Sequence, residues 1–107
     1  MKKVMISQPM RGLTEEEIKQ KKDEVVKYLE SNGYEIVNSL FEDDWAKTEI
    51  LKSNGIKQIP VYFLCKSLEV MAQCDTVYFC KGWNETRGCI IEHEVAERYG
   101  LEVIEEK

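Results

Sequence analysis

The sequence predicts a layered α/β domain with at least four strands in a mostly parallel sheet. In the first third of the chain, an apolar run at 2–7, a segment with helical spacing and a second apolar run at 34–37 follow one another. That order is typical of a βαβ unit, whose two strands are parallel and joined by a right-handed crossover. Later, the aliphatic and aromatic run at 75–80 is again followed by a helical segment and by a short apolar run at 101–104.

The first half of the chain has clear element boundaries. The run at 2–7 stops at Gln8 and reads as a buried strand, followed by the loop QPMRGL. Thr14 and Glu17 have the spacing of a capping box, which indicates where the first helix begins. Apolar residues at helical spacing follow, and Gly33 is a natural left-handed cap before the strand at 34–37.

The middle of the chain is less regular than either end. Residues 38–60 mix acidic side chains with a weak helical pattern, which predicts helix fragments in a long surface loop that serves as a lid or contact surface. A helix is predicted over 61–73 and a strand over 75–80, and the next helix begins near Gly88. The run at 101–104 predicts the last strand.

Length and composition indicate one folded domain over residues 1–107. The chain is long enough for its own core, and 43% of its residues are hydrophobic. A formal net charge of -5 disfavours binding to a nucleic-acid polymer, because such binding depends on basic side chains that neutralise phosphates. The apolar runs are too short to span a bilayer, and the N-terminal run ends too soon for a signal peptide. We therefore expect a cytoplasmic protein with no membrane partner.

The cysteines and glycines predict neither a metal site nor a cofactor. The four cysteines form no CxxC pair, and the single histidine, His93, follows Cys89 by four residues. This spacing does not match a zinc site, so we expect buried thiols in a reducing compartment. The sequence has neither GxGxxG nor GxxxxGK[ST], which leaves dinucleotide and P-loop binding unsupported.

Glu92 is the most informative single residue. On a helical wheel Gly88, Ile91, Val95 and Tyr99 share one stripe, and Glu92 falls within it. A carboxylate in that position loses hydration at a cost of several kcal/mol unless it is paired or neutralised, which favours a chemical role. Two alternatives are that it complements the positive end of the helix dipole or reaches solvent from the border of the stripe.

The loops on either side of the predicted sheet edge support a functional role for Glu92. Ligands of parallel sheets bind beyond the carboxyl ends of the strands, where the strand order reverses. The loops at 8–13 and 81–87 occupy that edge and converge if their strands are neighbours, which would place Glu92 in the crevice between them. His93 falls on another face of the wheel, and we expect it to be a solvated histidine.

Three segments resemble a known family. SQPMRG, CDTVYF and GWNETRGCIIEHEVA are similar to the DUF4406 family, small proteins common in phages and prophages. The resemblance of this chain to DUF4406 covers nearly the whole chain. That family in turn resembles, more distantly, the nucleoside 2-deoxyribosyltransferases and related nucleotide N-glycosidases. The resemblance implies a flavodoxin-like or Rossmann-like three-layer sandwich with four to five strands. It also implies that Glu92, four residues after Gly88, is the catalytic nucleophile.

The resemblance further implies a set of substrate-binding residues. Arg11 and Gly12 match the nucleotide-contacting first loop of the glycosidases, and Ser7 and Met10 match it more weakly. Ser67 occupies the position of an aspartate that helps these enzymes bind the sugar or protonate the base. The transferases also carry an acidic pair before their loop glycine, a feature that this chain lacks.

Further candidates come from the loop before the Glu92 helix. A phosphate is bound by backbone amides and a cation at a helix N-terminus, and the loop offers Gly82, Thr86, Arg87 and Gly88 for this. Trp83 is a candidate to stack on a base, although an aromatic residue near such a strand is more often part of the core.

These residues lead to one function hypothesis and two alternatives. The first is a nucleoside or nucleotide N-glycosidic bond hydrolase or deoxyribosyltransferase that uses Glu92 as nucleophile. The alternatives are a catalytically inactive protein that binds a nucleotide or nucleotide sugar, and a phage interaction protein with no ligand. Because the related enzymes are oligomers, we also expect a homodimer or larger assembly burying on the order of 1,600 Å² or more per interface. Part of the segment 38–66 should lie in that interface.

Overall fold

The computed structural model of the protein describes residues 1–10, 12–37 and 48–107. Within these residues, four strands form one sheet and four helices pack around it. The elements are β1 (Lys2–Ser7), α1 (Glu15–Ser31), β2 (Tyr34–Ile36), α2 (Thr48–Ser53), α3 (Ile59–Met71), β3 (Thr76–Phe79), a 3₁₀ turn (Trp83–Glu85), α4 (Arg87–Arg98) and β4 (Glu102–Glu105).

The sheet is parallel throughout, with strand order β2-β1-β3-β4. Val4 of β1 lies opposite Ile36 of β2 on one side, and Ser7 lies opposite Phe79 of β3 on the other. The chain leaves β1 toward β2 and later continues on the opposite side through β3 and β4. The strand order therefore reverses between β1 and β3, as in flavodoxin-like sheets, where this point is the usual ligand site. The predicted fold class is confirmed.

Two cores lie on opposite faces of the sheet because alternate strand residues point to opposite sides. The first core joins β1 and β3 to α1, and the second joins them to α3 and α4. The first contains Val4, Ile6, Tyr78 and Cys80 with Val25 and Leu29; the second contains Met5, Val77 and Phe79 with Met71 and Ala96. The molecule therefore has three layers, with the sheet between α1 on one face and α3 and α4 on the other.

The helix boundaries follow the local sequence signals. The Oγ1 of Thr14 accepts a hydrogen bond from the Glu17 amide at 3.1 Å, and the Thr14 amide donates to a Glu17 carboxylate oxygen at 3.2 Å. This confirms the predicted capping box. Gly33 has a φ of 86° after the end of α1, a conformation that glycine adopts without steric cost. In α3, Pro60 lies in the first turn, where its missing N–H has no helical partner to lose.

The predicted buried face of α4 is wrong. Ile91 is 39% exposed and Tyr99 is 80% exposed, whereas the wheel assigned both to the apolar stripe. The buried residues of this helix are Cys89, Glu92, His93 and Ala96. They recur at intervals of three, one and three residues and form a single face toward the sheet. The wheel missed this face because it was drawn through the most apolar residues.

Two further expectations are confirmed only in part. Cys65 is exposed on α3, although Cys80 and Cys89 are buried as expected. Of the helix fragments predicted within 38–60, the structure shows α2 and the start of α3, and residues 38–47, including Trp45, lie outside the described residues. No helix among the described residues is long and apolar enough to cross a membrane.

Candidate functional site

A buried carboxylate lies beside the point where the strand order reverses. Glu92, in the second turn of α4, is 7% exposed. The hydroxyl of Ser7 donates a hydrogen bond of 2.6 Å to its Oε1. Ser7 is the last residue of β1 and has the same parity as Met5, so its side chain points to the face that α3 and α4 cover. The carboxyl end of the strand thus presents a hydroxyl directly to the carboxylate.

The surroundings of Glu92 favour its neutral form more than water does. Burial raises the pKa of the carboxyl above its usual value, while hydrogen bonds from the Ser7 and Ser67 hydroxyls act in the opposite direction. The pKa of Cys89, three residues earlier in α4, is shifted in the same direction. Burial raises the pKa of its thiol to about 11 despite a hydrogen bond with Ser7. A perturbed acid in a cleft is a common property of functional sites.

Glu92 lies in the wall of a cavity of about 290 Å³, close to the lower end of the volumes usual for small-molecule sites. Three parts of the chain line this open cavity: the loop after β1, the N-terminal half of α3 and the beginning of α4. The lining residues are Gln8, Met10, Ile59, Pro60, Phe63, Leu64, Ser67, Thr86, Gly88, Cys89 and Glu92. Most of this surface is apolar, and Glu92 lies among the hydroxyls of Ser67 and Thr86 and the thiol of Cys89.

The structure brings about half of the predicted site residues together. Met10, Ser67, Thr86 and Gly88 line the cavity with Glu92, and Ser7 contacts the carboxylate itself. β1 and β3 are neighbours in the sheet, which was the condition for the loops at 8–13 and 81–87 to converge. The two loops do converge at the cavity.

Gly82 does not line the cavity but lies where the second loop contacts the first. Its φ of 93° lies in the left-handed region, and a Cβ at this position would lie 3.7 Å from the Cγ of Pro9. The second loop thus passes against the first one, and the glycine permits the turn that brings them together.

Trp83 lies outside the cavity lining and stacks on His93. The two ring centroids are 3.9 Å apart with an interplanar angle of 7°, and Phe79 contacts both rings. One face of the indole is therefore occupied within the protein. Of the other candidates, Gly12 and Arg87 are exposed and do not line the cavity, and Arg11 lies outside the described residues.

A sequence model of one family matches nearly the whole chain. The family is described as "Domain of unknown function (DUF4406)", and the match covers residues 2–105. The chain belongs to the DUF4406 family. No curated protein and no solved structure matches it significantly.

His93 of this DUF4406 domain is buried, so the expectation of a solvated histidine is wrong. Its Nδ1 lies 2.7 Å from a Glu97 carboxylate oxygen, and its Nε2 lies 2.7 Å from one of Glu105. Both nitrogens and one ring face thus have partners inside the protein, which indicates a structural role. The i,i+4 spacing of His93 and Glu97 is the sequence feature that could have predicted a partner for this histidine.

Sequence reasoning also missed the apolar wall that α3 contributes to the DUF4406 cavity. Ile59, Pro60, Phe63 and Leu64 line it from the first two turns of the helix. Their spacing of one, three and one residues was the signal that could have identified a common face.

The arrangement supports polar chemistry at one carboxylate. The described residues of this DUF4406 domain contain no group of three or more His, Cys, Asp or Glu side chains that could hold a metal ion. The Ser7 hydroxyl orients the Glu92 carboxylate, and the adjoining cavity has mostly apolar walls. A carboxylate in such surroundings can attack an electrophilic carbon or stabilise a positive charge beside it.

Proposed function

We propose that this DUF4406 protein cleaves the N-glycosidic bond of a nucleoside or nucleotide, with Glu92 as nucleophile. The observation that supports this best is the buried Glu92 carboxylate, hydrogen-bonded to Ser7 and open to a cavity at the β1/β3 reversal. The resemblance of the DUF4406 family to nucleoside 2-deoxyribosyltransferases supports the same reaction type.

In the proposed reaction, a Glu92 carboxylate oxygen attacks the anomeric carbon of the sugar. The carbon–nitrogen bond breaks, its electron pair goes to the ring nitrogen of the base, and a glycosyl ester of Glu92 forms. Water then releases the sugar, or a second base accepts it, with net retention at the anomeric carbon in either case. The Ser7 hydroxyl donates a hydrogen bond to Oε1 and so orients the carboxylate for this step.

A second candidate function is binding of a nucleotide or nucleotide sugar without turnover. The cavity contains Ser67 where the related enzymes carry an aspartate, and a serine hydroxyl does not protonate a leaving base. A binding protein would retain the cavity and use Glu92 to hold a hydroxyl or amino group of the ligand.

One incubation series distinguishes these functions. Purified protein is incubated with nucleosides, deoxynucleosides and their 5′-monophosphates, with and without a second free base, and released base is measured by chromatography. We expect base release by the wild type and by Glu94→Gln, whose carboxylate is exposed on the same helix, but none by Glu92→Gln. Saturable binding of one of these ligands without release of base would support the second function. Release by Glu92→Gln at the wild-type rate would refute Glu92 as nucleophile.

The first loop is proposed to bind the phosphate of a monophosphate ligand. Arg11 follows Met10, which lines the cavity, and its guanidinium would supply a cation for that phosphate. Arg11→Ala should therefore weaken binding of monophosphates more than binding of the matching nucleosides, as measured by calorimetry. An equal loss for both ligands would assign Arg11 to the sugar, the base or the loop itself.

We further propose that the protein forms a homodimer or a larger closed assembly. Ile50 and Val61, in the part of the segment 38–66 that the structure describes, are both more than half exposed. Burial of such side chains between subunits would be favourable, and a neighbouring subunit would help to close the cavity. Light scattering at micromolar concentration should give at least twice the chain mass of 12.5 kDa. A monomeric mass would refute the assembly.

A further inference from the structure

The cavity combines one buried carboxylate with mostly apolar walls. Among the described lining residues, Glu92 is the only carboxylate, and none carries a positive charge. Its hydrogen-bond donors, Ser7 and Ser67, are neutral hydroxyls. An ionised Glu92 would therefore give the cavity a negative charge that a ligand, rather than one of these side chains, would neutralise.

The walls indicate the shape of a complementary ligand. Ile59, Phe63 and Leu64 present apolar side chains from one side of α3, and Met10 adds another from the first loop. Such surfaces favour a flat ring with little polar surface. A delocalised organic cation satisfies both requirements, because its charge pairs with Glu92 while its ring contacts the apolar walls.

The chemistry of the leaving group leads to the same class of ligand. A neutral purine or pyrimidine leaves the anomeric carbon with a negative charge on its ring nitrogen unless an acid protonates it. Glu92 cannot donate that proton while it attacks as a carboxylate. A ring bound through a positively charged nitrogen needs no proton, because the electron pair of the broken bond neutralises it.

We propose that the base of the ligand carries a positive charge, as in a pyridinium N-riboside. This inference rests on the proposed N-glycosidic function and specifies its substrate class. A Glu92 oxygen forms a bond to the anomeric carbon, the bond from that carbon to the pyridinium nitrogen breaks, and a neutral pyridine leaves. Water then hydrolyses the glycosyl ester, giving the free sugar and restoring the Glu92 carboxylate with release of one proton.

Binding of two inert probes tests the charge preference without any turnover. 1-Methylnicotinamide is a cation, and 3-methylbenzamide has nearly the same shape without the charge. We expect calorimetry at pH 8 to show that wild-type protein binds the cation at least about tenfold more tightly. Glu92→Gln should remove this preference, whereas Glu94→Gln, on the exposed face of α4, should retain it. Equal affinities in the wild type, or a preference that persists in Glu92→Gln, would overturn the inference.

Turnover separates the inference from the function on which it rests. The protein is incubated with nicotinamide mononucleotide, nicotinamide riboside and neutral nucleosides and nucleotides, and each free base is measured. Faster release of nicotinamide than of any neutral base would support the inference. Release of neutral bases alone would overturn it and leave the N-glycosidic function in place. Cation-selective binding with no release of any base would refute the enzymatic function but support a pyridinium-binding cavity.

Discussion

Replacing Glu92 by glutamine should stabilise the protein at neutral pH and leave its stability at pH 4 almost unchanged. Burial raises the pKa of this carboxyl above 4.5, the usual value, and the Ser7 and Ser67 hydroxyls only partly oppose it. The folded state therefore holds the proton more tightly than the unfolded state does. Consequently the free energy of unfolding decreases as the pH rises from 4.5 through the folded pKa. Glutamine has the same shape, keeps an oxygen for the Ser7 hydroxyl and carries no charge.

The size of the effect follows from the pKa difference between the two states. Each unit by which the folded pKa exceeds the unfolded one destabilises the ionised protein by ~1.4 kcal/mol. The stability advantage of Glu92→Gln should thus grow by up to ~1.4 kcal/mol per pH unit between the two pKa values and remain constant above them. For a domain of about 100 residues, each kcal/mol corresponds to a rise in Tm of about 4–8 °C.

Urea denaturation followed by circular dichroism between pH 4 and pH 8 measures this advantage. Glu94→Gln is the matched control, because Glu94 lies on the same helix with its carboxylate exposed. The difference between the Glu92→Gln and wild-type curves isolates the titration of one group. A difference that does not change with pH, or a variant less stable than the wild type at pH 7, would refute the reasoning. Either result would mean that groups in the folded protein stabilise the negative charge of Glu92.

Three other measurements test the structure. Ser7→Ala removes a hydrogen bond that lowers the pKa of Glu92, so the pH at which stability begins to level off should move upward in the same urea series. Iodoacetamide at pH 8 should modify the exposed Cys65 well before the buried Cys89, because burial raises the pKa of the Cys89 thiol to about 11. Peptide mass spectrometry measures the order of modification, and the reverse order would contradict the packing of α4. Thr14→Ala should lower the free energy of unfolding by about 1 kcal/mol through loss of the capping box, and an unchanged urea midpoint would contradict that role.

The fold was predictable because its signals are local. The capping box at Thr14 and the glycine at position 33 mark the ends of α1, and the short apolar runs mark the strands. The alternation of these elements then restricts the topology to a parallel sheet. The strand order β2-β1-β3-β4 needed the structure, because the sequence alone left the adjacency of β1 and β3 as a condition.

The site was predictable only in part because its contacts are not local. Glu92 was identified as a buried carboxylate, but the stripe used to place it contained Ile91 and Tyr99, which are exposed. Helical periodicity detects apolar side chains, whereas the true face combines an acid, a histidine, a thiol and a small residue. The role of Ser7 is equally hidden, because its hydrogen bond to Glu92 joins residues 85 positions apart in the sequence.

The contrast between two adjacent buried residues, Glu92 and His93, supports a functional role for the first. Both nitrogens of His93 lie next to carboxylates, and its ring stacks on Trp83, so the protein itself satisfies this side chain. Glu92 lies one position away with two hydroxyl donors and an adjoining cavity, and no ion pair joins it to another described residue. A neutral side chain of similar size would stabilise the folded state at that position, since burying a carboxylate without a counter-charge is unfavourable. The folded protein therefore carries an energetic cost at Glu92 that a positively charged ligand or reaction centre in the cavity would relieve.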